Sequence, residues 1–103
     1  MLVVSVMYPA GKFDHGYYGR THLPLVRERW GSMGLRDIRV LRGADGPDGA
    51  PPAWQLIAML HFDSMDAFKG AARAHGKEIF ADIPNFTDTS PVVQCNEPVD
   101  ASA

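Results

Sequence analysis

Gln55-Leu56-Ile57-Ala58-Met59-Leu60-His61-Phe62 is the stretch that decides the fold. It is short, apolar and free of glycine and proline, which suits a strand better than a helix of ordinary length. Successive strand side chains point to opposite faces. Leu56, Ala58, Leu60 and Phe62 therefore share one face, and Gln55, Ile57, Met59 and His61 share the other. Both faces are largely apolar, so both need cover. Helices can serve one; the other requires a second partner.

Working outward, Leu2 to Tyr8 is short, β-branched and apolar and reads as a first strand, closed by a turn at Pro9, Gly11 and Lys12. Asp14 is placed to cap a helix that carries Tyr17, Tyr18, His22, Leu25, Val26 and Trp30, with Gly31 and Gly34 ending it. Pro24 lacks an N–H and restricts Leu23, so this helix is expected to kink or restart there. Leu35 to Arg42 reads as a second strand, edge-like, with exposed arginines. Residues 43–53, rich in glycine, proline and aspartate, form a loop. Asp63-Ser64 opens a second helix with Asp66 in its first turn, and Met65, Phe68 and Ala72 recur at helical spacing. Gly76 is expected to break it, leaving a short turn over Lys77 to Ile83 that Pro84-Asn85 stops. Val92 to Cys95 gives the last strand.

The order strand, helix, strand, strand, helix, strand predicts an α+β, ferredoxin-like βαββαβ sandwich. It has a four-stranded antiparallel sheet and both helices on one face. The bare face, with Ile57 and Met59 on it, predicts a homodimer whose sheets meet as a dimeric α/β barrel, a natural small-molecule site. A single domain over residues 1–96 and a tail over 97–103 fit the length of 103 residues.

Hydrophobic residues make up 46% of the chain, which argues against disorder. The single Cys95 excludes an intrachain disulfide and a cysteine zinc cluster; it is expected as a small buried strand residue. A cytoplasmic setting follows as the default, with no leader segment and no apolar run near the roughly 18 residues of a membrane span. The net charge of −2 shows no nucleic-acid bias, although the basic residues concentrate before position 43 and the acidic ones after it. Complementary surfaces in an oligomer explain that asymmetry. So would an anionic ligand drawn to Arg20, Arg27, Arg36, Arg39 or Arg42.

His22 is the first candidate for chemistry, because imidazole exchanges protons near neutral pH. Tyr18, four residues before it, shares its helical face and could orient it or hydrogen-bond a ligand's carbonyl. The competing reading makes His22 a cap for backbone groups freed by Pro24. Tyr17, Ile57, Met59 and His61 are the expected substrate-binding residues, His61 standing at the end of the bare face. His15 and His75 read as solvated. No metal is expected, since His15 and His22 are two helical turns apart and no paired-histidine motif occurs. The RNA-recognition fold shares this topology but needs base-stacking aromatics on the third strand, where Ile57 and Met59 stand instead.

Tyr18-x-x-x-His22-x-Pro24-Leu25-Val26 resembles the first-helix signature of the EthD family, linked to ethyl tert-butyl ether degradation. The Tyr8-Pro9 turn, the Phe62-Asp63-Ser64 step and the run Asp82-Ile83-Pro84-Asn85-Phe86-Thr87-Asp88 match in the same order. The resemblance implies a dimeric α/β barrel. It also implies kinship with cofactor-free oxygenases, lactone isomerases, dehydratases or decarboxylases acting on hydrophobic ring compounds, and so a small hydrophobic or oxygenated molecule in the barrel. Carry-over is limited to positions: His22 and Tyr18 match the family's histidine and aromatic on the first helix. If the chain is an enzyme, His22 would be the general acid–base group and Tyr18 an orienting hydrogen-bonder, without a cofactor. Gly19 between them is a departure that would loosen their geometry. A non-catalytic accessory protein holding the same ligand is the alternative.

Overall fold

Alternation of buried and half-buried residues runs through β1 (Leu2–Tyr8) and β3 (Leu56–Phe62), the two central strands. The computed structural model describes residues 1–99; residues 100–103 of the expected tail lie outside them. β2 (Leu35–Arg42) and β4 (Val92–Asn96) flank the central pair, and all four strands run antiparallel in the order β2-β3-β1-β4. This is the ferredoxin-like order expected from the sequence, with β2 on an edge. In the β1–β3 register Val4 faces Leu60 and Val6 faces Ala58, so the buried residues of both strands lie on one side.

Two helical runs cover that side. α1, residues 15–30, combines a first turn His15–Tyr17, a π-helical segment Tyr18–His22 and an α-helix Leu23–Trp30. Asp14 caps it, accepting from the Tyr17 N–H at 3.0 Å. Of the expected kink or restart at Pro24, the restart is found: an α-helix begins at Leu23 with Pro24 in its first turn, after a π-helical widening. Pro24 has no N–H for the fourth carbonyl back, and its ring would crowd that carbonyl. The chain forms a wider turn in which Leu23 N–H bonds Tyr18 O, five residues back. Gly34 then reverses the chain at φ 102°, where a Cβ would also stand 2.8 Å from that of Ala67.

α2, residues 65–81, is likewise three pieces: Met65–Ala71, a π-helical segment Ala72–Gly76, and Lys77–Ala81. Ser64 caps it by accepting from Ala67 N–H at 3.0 Å. The expected break at Gly76 does not occur. A glycine inside a helix costs about 1 kcal/mol, and burial of Ile79 and Ile83 just beyond it offsets that cost. Within α2 the core position falls to Ala71 rather than Ala72, and Met65 is exposed. The small Ala71 lets the Trp30 ring come close enough to donate its Nε1–H to the Ala71 carbonyl at 2.8 Å. Trp30 also meets Phe62 and Phe68 edge-on. It is 2% exposed and clamps the end of α1 to α2; large aromatics at such points are typically worth about 3–5 kcal/mol on truncation.

Cys95 is exposed, not buried as expected. It lies on β4, an edge strand on which only Asn96 is even half-buried, so the helices give it little cover. The face away from the helices carries Ile57, Met59 and His61, all half-buried, as the alternation requires. Strand register lines up Val92, Met7, Ile57 and Leu41 as an apolar row across all four strands of that face.

Candidate functional site

His22 and Tyr18 leave the π-helical segment on its inner side and point toward the sheet, 5% and 4% exposed. Their rings stack, with centroids 5.5 Å apart and planes 20° from parallel. No hydrogen bond joins them among the described residues. The hydrogen bond that orients His22 comes from elsewhere: its Nδ1 lies 2.9 Å from Asp82 Oδ2. Asp82 follows directly on α2, and the 3₁₀ turn Ile83–Asn85 after it brings Asn85 Nδ2 within 3.0 Å of Oδ1. Tyr17 completes the group by donating its hydroxyl to Asp82 Oδ1 at 2.5 Å. The carboxylate thus receives three side-chain hydrogen bonds, from Tyr17, Asn85 and His22.

Those contacts set the protonation states. Burial pushes the His22 imidazole below its ordinary value, and the Asp82 hydrogen bond and charge only partly oppose this. Burial alone would raise the Asp82 carboxyl, but hydrogen bonds from Tyr17, Asn85 and His22 outweigh it and hold Asp82 below the usual range. At neutral pH the pair is therefore a carboxylate beside a neutral imidazole, with the imidazole proton on Nδ1 facing Asp82. Nε2 carries the lone pair. Burial also raises the phenols of Tyr8 and Tyr18, keeping both hydroxyls protonated. Tyr17 is raised chiefly by its hydrogen bond to Asp82.

Beside this group lies a cavity between the helices and the sheet, with a volume of about 30 Å³. Tyr18, His22 and Val26 line it from α1, Val6 and Leu60 from the sheet, and Ile83 from the turn after α2. Phe80 and Val93, each 41% exposed, stand at its rim. The free space holds about one or two waters, well below the roughly 300 Å³ or more of small-molecule sites.

The expected site residues do not form one constellation. His22 and Tyr18 line this cavity; Tyr17 lies outside it, bonded to Asp82. Ile57, Met59 and His61 occupy the opposite face of the sheet, so the strands themselves separate them from His22. None of Arg20, Arg27, Arg36, Arg39 and Arg42 lines the cavity, and Arg36 is paired with Asp63. Gly19, exposed within the continuous helical run, leaves the stacking of Tyr18 on His22 intact. Among the described residues no group of three or more histidine, cysteine, aspartate or glutamate side chains is placed to hold a metal ion. Asp82 went unread in the sequence although it stood inside a quoted motif. Its signal was a lone acid between Ile79-Phe80 and Ile83, where a solvated carboxylate would be out of place.

Residues 12–90 match the EthD domain. An EthD-like protein from Ralstonia eutropha JMP134 is 40% identical, with a TM-score of 0.86 over 98% of this chain and 95% of that one. An ethyl tert-butyl ether degradation (EthD) family protein from Bacillus halodurans C-125 is 24% identical, with a TM-score of 0.73 over 96% of this chain and all of that one. A protein from an uncultured marine organism, described as a dimeric ferredoxin-like protein, shares the fold at 15% identity and a TM-score of 0.50, over 100% of this chain and 97% of that one. No curated protein matches the chain. The chain belongs to the EthD domain family.

The depressed His22 value has a definite sign in stability. The unfolded chain takes up a proton on this ring, at an ordinary value of 6.5, more readily than the folded chain does. Its contribution is complete above that value and is lost as pH falls through the folded one. Asp82 adds a loss of the same sign at lower pH. Urea midpoints of the wild-type chain are expected to fall between about pH 7 and pH 5, and those of His22→Gln to fall less. Parallel profiles would contradict this assignment.

Proposed function

We propose that this EthD-family chain binds a small, largely apolar, oxygenated molecule in the cavity between helices and sheet, and that His22 acts on it as a general base. The observation that carries the reading is the His22–Asp82 pair: Nδ1 is occupied by a carboxylate, and His22 lines the cavity with Nε2 unbonded among the described residues. A neutral imidazole with its lone pair toward an apolar space suits removal of a weakly acidic proton. Asp82 holds the tautomer and stabilises the imidazolium that forms, and Tyr17 and Asn85 hold Asp82. Tyr18 packs against the imidazole and restrains its plane.

Proton abstraction of this kind serves isomerisation, dehydration, decarboxylation and cofactor-independent oxygenation, and the reading extends to that group of reactions in catabolism or secondary metabolism. It needs no cofactor for the proton step. A simple dialkyl ether has no acidic proton for His22, so ether degradation would require chemistry beyond this pair. A cytoplasmic setting belongs to the same reading; no helix among the described residues is long and apolar enough to cross a membrane.

The quaternary part of the proposal is a homodimer closed over the open face of the sheet. The apolar row Val92, Met7, Ile57 and Leu41 supports it, with Val92 48% and Leu41 46% exposed in the single chain. Ile57, Met59 and His61 then belong to the barrel interior between the sheets. There they could line a second compartment for the ligand, while His22 serves the one between helices and sheet. A row of exposed apolar side chains on a sheet is a cost that a second copy removes.

The catalytic reading is tested with 2-tetralone, an apolar ketone with acidic C–H groups, by following hydrogen–deuterium exchange in D₂O by NMR. Wild-type protein is expected to exceed free imidazole, and His22→Ala and Asp82→Asn to lose about 10²–10⁴-fold of the exchange rate. Equal rates in wild type and His22→Ala would leave only the non-catalytic binding alternative. For the dimer, sedimentation at micromolar concentration is expected to give a dimer for wild type and a monomer for Ile57→Asp. A monomeric wild type refutes that arrangement.

A further inference from the structure

The open face of the sheet is not uniform along its strands. Register divides it into three rows that cross all four strands, with the apolar row through Ile57 at one end. Asp37, His61, Val3 and Asn96 form the row at the other end, and Arg39, Met59, Ser5 and Gln94 the row between. Asp37 and Arg39 are exposed on the edge strand β2. Neither enters an ion pair among the described residues. At the opposite edge the amides are already set. Asn96 Nδ2 donates to the Val3 carbonyl and to Ser5 Oγ, each at 2.9 Å, and Asn96 Oδ1 accepts from Gln94 Nε2 at 2.6 Å. Gln94 Oε1 is left as an acceptor with no donor among the described residues. The middle row thus carries an unpaired cation on β2 and an open acceptor on β4.

We propose that the second copy closes over this face with β2 of each chain above β4 of the other, so that Arg39 donates to the partner's Gln94. The inference rests on the homodimer reading and adds the alignment and the contact that fixes it. Two facing sheets with aligned strands and a twofold axis between them can meet in two ways. An axis across the strands turns one copy end for end. The apolar row then covers the row of Asp37 and His61, which buries a carboxylate under the partner's Leu41 and sets Arg39 against the partner's Arg39. An axis along the strands lays each row on its own copy. Apolar residues then cover apolar residues, the two guanidinium groups stand at opposite edges, and each reaches an amide oxygen in a charge-assisted hydrogen bond. Asp37 stays in the end row, open to water. The same alignment sets the free edges of β2 and β4 side by side and antiparallel, which covers both.

Cross-linking with a short bismaleimide tests the alignment in the full chain carrying Cys95→Ser, because Cys95 is the single native thiol. Chains bearing Arg39→Cys and Gln94→Cys are co-expressed with different tags. The mixture is expected to give a covalent dimer that joins the two tags, while neither variant alone cross-links to itself. Leu41→Cys with Val92→Cys reads the same alignment in the apolar row, where no polar contact is lost. Arg39→Ala is expected to weaken dimerisation by about ten- to a hundredfold; an unchanged dissociation constant overturns the contact. Arg39→Cys cross-linking to itself overturns the alignment while leaving the homodimer standing. Dimers that cross-link in neither pair overturn it as well. A wild-type chain that sediments as a monomer overturns the homodimer reading and this inference together.

Discussion

Pro24 cannot donate a hydrogen bond, and the chain answers with a π turn on which the rest of the site depends. An α-helix advances by about 100° per residue, so residues four apart drift by about 40° per step. Tyr18, His22, Val26 and Trp30 would drift by about 120° from first to last in a straight α-helix. The π segment Tyr18–His22 takes in one extra residue and returns most of that rotation. All four side chains then face the sheet, none more than 5% exposed. A proline that a helix would ordinarily exclude thus fixes where the aromatic, the base and the clamping indole point.

Turning a histidine inward has an electrostatic consequence. Its charged form is disfavoured by burial, while a carboxylate at hydrogen-bond distance favours that form. The two effects oppose each other at His22, and burial prevails. At Asp82 the balance runs the other way, because Tyr17 and Asn85 donate to the carboxylate in addition to His22. Such a division, one partner ionised and the other neutral, leaves a base that can accept a proton and still be stabilised after doing so. The walls of the cavity on the other side of the ring are largely apolar, Val6, Val26, Leu60 and Ile83 among them.

The sheet was legible from sequence because strand alternation is a local property. Leu56 to Phe62 named the buried face residue by residue, and the strand order followed from connection rules. The inward face of α1 was legible as well, through the spacing of Tyr18 and His22. The π turns were not: periodicity shows that a helix is present but not how a proline or a buried glycine is absorbed within it. The Asp82 contact was not legible either, since it joins residues 60 apart and depends on how α2 ends. Ile57, Met59 and His61, expected to bind substrate, lie on the other face of the sheet from the cavity that His22 lines. A strand residue that points away from the helices cannot also face a cavity beneath them.

The central claim is that His22 is neutral, protonated on Nδ1 toward Asp82, with Nε2 open to the cavity. Long-range ¹H–¹⁵N correlation spectra of ¹⁵N-histidine-labelled protein across a pH titration test it most directly. The account predicts the Nδ1–H tautomer for His22 at neutral pH and a titration midpoint below the ordinary 6.5. A dominant Nε2–H tautomer, or an imidazolium persisting at neutral pH, would contradict it.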